Sequence, residues 1–436
     1  MSSLNLFLGD YKNYPIHVFG GGFEKVNVIT GMKGGGKSHI AKGIISEALK
    51  AGMSTVVFDI NNEYDKVSPN ATILKPGVNL KFRLDFIKME TLFHLFERLA
   101  PFPEKTAYSV YAKLPKLIEE YKNTNTPDLN YLKQMVKDII PGSDQNEPVR
   151  NMRMGYQRSL EIVESYNLIM TTSEAKAEDD HIKGRSKPEG VPIFSLRTAF
   201  NDMFIGNPEV LIFQIGGLQT RLQKVIVSLV IDHLKESCDK QTKAYQEYLK
   251  TGNKTLRTEF PVYPTVFFEE AHIYMDTRDI DDLVPLIRHI GINVFFVTNT
   301  PGELPDSVFR LLDNLIMTRM VNRKDIDRLA DCGLTDKETI VGFAQNLKEH
   351  HALFLSGKEG ATKNFPLVFH VRDFGLEKSG QTRSQWDAML KSQQQQKAVD
   401  KSSANAKQKT PDLNTSQSST SSKSRRKRKT EDPLNQ

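Results

Sequence analysis

The amino-acid sequence predicts an α/β fold in which a mostly parallel sheet is covered by helices on both faces. Three observations predict it. Short apolar runs rich in β-branched and aromatic residues recur at 26–29, 55–58, 210–215, 262–268, 292–297 and 315–320; they suit buried strands rather than helices. Longer stretches with apolar residues at helical spacing separate most of them, and strand–helix alternation implies a parallel sheet. The first run passes through a glycine-rich segment directly into one of these helices.

Taken in order, residues 1–25 are too short for a domain, and Phe19, Gly20, Gly21 and Gly22 read as a turn. The strand at 26–29 is followed by a helix at 39–50, whose apolar positions are Ile40, Ala41, Ile44, Ile45, Ala48 and Leu49. The strand at 55–58 ends at Asp59, an acidic residue at the carboxyl edge where ligands of open α/β sheets lie. Residues 91–140 carry three helical stripes, the third running from Leu129 through Leu132 and Val136 to Ile139, punctuated by Pro101, Pro103, Pro115, Pro127 and Pro141. Residues 174–190 turn polar and read as an exposed loop. The core resumes with the strand at 210–215 and an amphipathic helix at 219–236. The strand at 262–268, a helix at 281–290 and the strands at 292–297 and 315–320 follow, with a final strand pair at 352–355 and 367–371.

From about Leu376 aliphatic clusters vanish. The segment cannot bury enough surface to offset its ordering entropy, so a disordered tail is expected. The chain's net charge of +6 is concentrated there. Residues 378–436 hold thirteen Lys/Arg against five Asp/Glu, a balance of +8, leaving −2 for the rest of the 436 residues. The body is nearly neutral, so a nucleic-acid footprint on it has to be a local patch. The block from Arg425 to Lys429 either grips phosphate or an acidic partner, or serves solubility alone. The organisation expected is a first part of the core at 1–100, a helical insertion at 101–190, a second part of the core at 191–375, and the basic tail at 376–436. No apolar stretch reaches eighteen residues and no signal peptide is visible, so no membrane contact is expected. Cys238 and Cys332, without metal-ligand spacing, fit reduced thiols in a cytoplasmic protein.

The segment Gly31-Met32-Lys33-Gly34-Gly35-Gly36-Lys37-Ser38 fits GxxxxGK[ST] in its proper strand-to-helix context. Its glycines let backbone N–H groups wrap a polyphosphate, and the helix start adds a partial positive charge. Gly31, Lys33, Gly34, Gly35, Gly36, Lys37, Ser38 and His39 are the candidates for nucleotide contact. Lys37 would reach the β/γ-phosphates of ATP and Ser38 would hold Mg²⁺. Phosphoryl transfer to water needs two further acidic groups, which the apolar run ending in Glu269-Glu270 supplies. Glu269 is assigned to the metal shell and Glu270 to the general base. His272 either couples the site to substrate or caps the turn. Asn299 either holds the γ-phosphate or lytic water, or simply forms a turn. Arg310, Arg319 and Arg323 are surface arginines by default, and any one of them supplied across a subunit interface would stabilise transition-state charge.

In their order, these motifs resemble the HerA/FtsK superfamily of P-loop motors, and the HerA branch most. The resemblance rests on GMKGGGKS, Asp59 with Glu63-Tyr64, VLIFQIGGL and its long helix, FFEEAH, and RHIGINV leading into TNTPGELPDSVF. It covers about residues 15–100 and 190–375. Asn299 stands where the family usually has Gln, and residues 1–25 are too few for the N-terminal barrel of HerA proteins. The resemblance implies a RecA-like core, ATP with Mg²⁺, a homo-oligomeric and commonly hexameric ring, translocation along double-stranded DNA, and a possible nuclease or other protein partner. It makes Arg319 the candidate intersubunit arginine. The function expected is an ATP-hydrolysing DNA translocase or helicase-like motor. The alternative is an ATP-dependent assembly or switch protein that binds a protein partner without moving DNA. A small-molecule kinase fits less well, since a water-activating glutamate suits hydrolysis.

Overall fold

The computed structural model describes residues 5–19, 25–87, 91–92, 128–139, 147–185, 192–253, 262–357 and 366–375, all within one compact unit, Met1–Gly380. The strands are β1 (Asn5–Tyr11), β2 (Tyr14–Phe19), β3 (Val26–Thr30), β4 (Thr55–Asp59), β5 (Thr72–Leu74), β6 (Val210–Gln214), β7 (Thr265–Glu269), β8 (Asn293–Thr298), β9 (Asn314–Met317), β10 (His351–Ser356) and β11 (Leu367–Val371). The longer helices are α1 (Lys37–Lys50), α2 (Leu129–Ile139), α3 (Glu147–Ser165), α4 (Thr172–Ile182), α5 (Thr220–Thr251), α6 (Thr277–Ile290), α7 (Arg323–Ala330) and α8 (Lys337–Asn346).

The strands form one sheet in the order β2-β1-β11-β10-β9-β3-β8-β7-β4-β6-β5. From β9 to β5 every pairing is parallel; from β9 outward through β10, β11, β1 and β2 every pairing is antiparallel. The expected parallel, helix-covered sheet is therefore the centre of the molecule.

The period-two alternation of the strands sorts their side chains into two cores. Ile29, Val57, Phe267 and Phe295 face α1 through Ile40, Ile44 and Ile45. Val28, Val56, Phe58, Phe268 and Phe296 point the other way, into the core shared with α5 and α6. Aromatic rings stack across neighbouring strands on both faces, with centroids 4.6 Å apart for Phe267 and Phe295 and 5.1 Å for Phe58 and Phe268. Each fully buried Phe contributes roughly 1.5–3 kcal/mol of burial, so β7 is anchored from both sides just before its acidic end.

Several expectations are corrected. Residues 5–19 are a β-hairpin, β1–β2, that extends the sheet by pairing with β11. Residues 174–182 of the expected loop belong to the helix α4. Thr171 and Glu174 form a reciprocal capping box at its start, and its acidic face meets buried cations: Glu174 accepts from Lys81 Nζ, and Glu178 and Asp179 from Arg83. Helix α5 runs to Thr251 instead of ending near Glu236, its polar half held by a Thr242–Tyr263 hydroxyl hydrogen bond of 2.8 Å. The strand expected at 315–320 ends at Met317, and β5 was not foreseen. The third stripe of 91–140 is α2; nearly all of the first two, and the whole basic tail, lie outside the described residues. No described helix is long and apolar enough to cross a membrane.

Candidate functional site

The glycine-rich loop leaves β3 at the carboxyl edge of the parallel strands. Gly36, at φ 91°, is the N-cap of α1, a left-handed conformation that favours glycine. Gly31 has no room for a side chain: a Cβ there would lie 1.8 Å from Thr318 Oγ1, the residue that follows β9. The Met32 N–H donates to Arg319 O at 2.9 Å and Gly35 N–H to Met32 O at 3.0 Å, so the loop is fixed on the β9 side. Lys33, Gly34 and Gly36 are exposed, while Gly35, Ser38 and His39 are half-buried. His39 turns away from the loop, with Nε2 3.0 Å from Arg372 O and its ring against Phe374.

Lys37 opens α1 and is only 7 % exposed. Its ammonium donates to Met32 O at 3.1 Å and to Asn299 Oδ1. Burial lowers its pKa, opposed by the charges of Glu270, Glu269 and Glu63. Asn299 follows β8, the strand beside β3. Through its Nδ2 it donates to Glu270 Oε1, so one amide spans lysine and glutamate.

Glu269 ends β7 on the far side of β8, and Glu270 follows it directly. Successive strand residues ordinarily face opposite ways, but Glu270 has φ 48° and its N–H donates to Val297 O at 2.7 Å. This bend brings both carboxylates to the same edge. Glu270 accepts from Thr298 Oγ1 at 2.8 Å and from the Asn299 N–H at 3.2 Å. Glu269 turns to the carboxylate of Asp59, which is held by the N–H groups of Glu63 (3.1 Å) and Tyr64 (3.0 Å). Burial pushes Glu269 well above the ordinary carboxylate range, and the charges of Asp59 and Glu63 push it further. Burial raises Asp59 as well. Among the described residues, Glu269 Oε2 is buried without a hydrogen-bond partner.

His272 Nε2 lies 3.1 Å from Glu303 Oε2 and 3.4 Å from Thr300 Oγ1, and Nδ1 lies 3.7 Å from Glu270 Oε2. The main chain of Arg319 touches the phosphate loop while its side chain is exposed. Arg310 and Arg323 are exposed too, the latter 3.9 Å from Asp327. The structure thus brings together Lys37, Asn299 and Glu270 in one hydrogen-bonded chain, with Glu269 beside Asp59. Sequence reasoning overlooked Thr298, Thr318 and Lys42. The signal for Lys42 was a lysine amid the apolar positions of α1, four residues after Ser38 and hence on the same helix face.

A buried oxygen without a partner, a serine hydroxyl at a helix start and a lysine beside a glycine-lined loop are the donor set of a site for a polyphosphate and a hard divalent cation. Residues 23–234 match the family model of the helicase HerA central domain, and residues 259–321 match that of the helicase HerA-like C-terminal domain. Among solved structures, VirB4 of Thermoanaerobacter pseudethanolicus superposes over 86% of this chain and 97% of its own, with a TM-score of 0.53 and 11% identity. The plasmid coupling protein TrwB, in complex with a non-hydrolysable ATP analogue, superposes over 83% of this chain and 88% of its own, with a TM-score of 0.52 and 14% identity. At such identities the likeness is one of fold. A search among curated proteins gives no match. The two family matches between them span well over half of the chain and both halves of the site, and the chain belongs to the HerA-like family of P-loop ATPases.

Proposed function

We propose that the chain is an ATP-driven DNA translocase or helicase-like motor that works in the cytoplasm as a homo-oligomeric ring on double-stranded DNA. The observation that carries the hydrolytic part of this reading is the chain Lys37–Asn299–Glu270, because one amide couples a phosphate-binding lysine to a carboxylate placed to activate water; the DNA part rests on the match to the HerA helicase models. Lys37 and the N–H groups of the loop from Gly31 to Ser38 bind the β- and γ-phosphates. Ser38 and Glu269 are the residues that would hold Mg²⁺, which supplies charge neutralisation to the phosphates when bound. Glu270 accepts the proton of the attacking water, and Thr298 and the Asn299 N–H orient its carboxylate. Asn299 senses the γ-phosphate through the same amide that it shares with Glu270. Arg319, exposed beside the loop, is the candidate to reach a neighbouring subunit. Residues 101–190 are read as an insertion in this motor core, and a nuclease or other protein is the expected partner.

The test is steady-state ATPase activity with and without linear double-stranded DNA, with Lys37→Ala as the blank, alongside mass determination in ATP. Stimulation by DNA together with a ring-sized mass is expected. A rate indifferent to DNA under conditions that permit ring formation refutes the motor and leaves an ATP-dependent switch for a protein partner.

A further inference from the structure

We infer that Lys42 is a positioning residue that sets the divalent-cation affinity of the nucleotide site, acting as the fixed counter-charge of the acidic group Asp59, Glu63 and Glu269. The inference rests on the reading of Glu269 and Ser38 as the metal-holding pair.

Lys42 is 4 % exposed, an unusual fate for a lysine. It lies four residues beyond Ser38 on α1, so both project from the same helix face. Its ammonium sits over the ring of Tyr64, 5.6 Å from the centroid. Tyr64 is fully buried, and its N–H is held by Asp59. Burial lowers the Lys42 pKa, and the carboxylates of Glu63, Asp59, Glu269 and Asp65 oppose it by favouring the charged form, whereas at Lys37 burial is opposed by Glu270, Glu269 and Glu63.

The two lysines therefore divide the work. Lys37 stands at the helix start, where phosphate takes up its charge. Lys42 lies about 7.5 Å further along the helix axis, past the first turn, and stays with the carboxylates whatever the loop holds. Without it, three or four acidic groups would converge on the metal position with no standing cation once Lys37 is engaged. Such a site would grip a divalent cation too strongly to release it with the product each cycle. A unit charge removed within one helix turn of a doubly charged ion in a partly buried site changes affinity by about tenfold or more.

The experiment titrates MgCl₂ into the full chain with ADP and follows heat of binding and melting temperature. Lys42→Met should lower the half-saturating Mg²⁺ concentration by about tenfold or more and widen the melting gap between metal-free and metal-loaded protein. Lys42→Arg should stay within about twofold of wild type, since a cation at this place is what matters. Glu63→Gln, at a half-exposed position, should shift the half-saturating concentration the opposite way and decides the matter if Lys42→Met does not fold. In turnover, Lys42→Met should lose kcat with KM for ATP little changed. Unchanged Mg²⁺ dependence in Lys42→Met, even with a lower melting temperature, overturns the inference, as does unchanged dependence in Glu63→Gln. Wild-type protein that binds no Mg²⁺–ADP overturns the site reading and this inference together; binding by wild type with indifferent variants overturns this inference alone.

Discussion

Arg83 is the place where a charge substitution should cost the most. Its side chain is 3 % exposed. Nε and Nη2 donate to the two oxygens of Asp85 at 3.1 and 2.6 Å, and Nη1 donates to Asp179 at 2.6 Å, to Glu178 at 3.1 Å and to Ala175 O at 3.3 Å. The guanidinium also lies 4.4 Å from the ring centroid of Phe86. Arg83→Met keeps the aliphatic packing and removes the charge. Asp85 and Asp179 are partly exposed and lose about 0–1 kcal/mol each. Glu178 is different: at 4 % side-chain exposure it would keep, among the described residues, only the Ser195 N–H and the Thr198 hydroxyl as donors. Breaking a buried pair by removing one partner costs about 3–5 kcal/mol. Arg83→Met is therefore expected to lose about 4 kcal/mol in urea unfolding at neutral pH and to expose the amides of Thr172–Ile182 to hydrogen exchange. Adding Glu178→Gln should recover about 2 kcal/mol, because a neutral amide still accepts those two hydrogen bonds. A loss below about 1 kcal/mol, or no recovery in the double variant, refutes the view that α4 is held to the core by this buried charge.

Two further outcomes are expected. Asn299→Ala should lower kcat by about 10²–10³-fold while ADP affinity changes only a few-fold; Asn299→Gln, which keeps an amide, should lose less, and steady-state kinetics with an ADP titration decide both. His233, half-buried against Phe200, is pushed by burial to about 4, with Lys240 assisting and Glu236 opposing. Its folded pKa lies below its unfolded one, so this contribution is complete above about pH 6.5 and is lost as pH falls toward 4. The contribution is at most about 3 kcal/mol, and His233→Phe should flatten that part of the pH dependence of the urea midpoint.

How far the sequence discloses this molecule depends on the range over which the deciding interaction acts. Apart from the three-residue β5, the parallel strands, α1 and the loop from Gly31 to Ser38 follow from local patterns: apolar runs, helical spacing and glycine at a turn. The acidic end of β7 is legible for the same reason. Helix α4 is not, because its composition is polar and its partners, Lys81 and Arg83, lie about ninety positions earlier; only the Thr171–Glu174 capping box was there to be seen. The hairpin β1–β2 escapes because its stability comes from β11, more than three hundred and fifty positions away. The tie between Lys37, Asn299 and Glu270 is invisible in one dimension, since it depends on β3, β8 and β7 lying side by side.

That neighbourhood has a consequence for how the protein is made. The strand that carries the phosphate loop, β3, is flanked by β8 and β9, and a side-chain hydrogen bond from Asn314 to Asn27 joins residues 287 positions apart. On the ribosome the loop emerges early, yet neither neighbour of its strand exists until about two-thirds of the chain has been translated. Nucleotide therefore cannot act as an early folding template. The site comes into being late and all at once, and a nascent chain interrupted anywhere before β9 is an incomplete sheet with an exposed β3 edge, a substrate for chaperones and proteases rather than a partial ATPase.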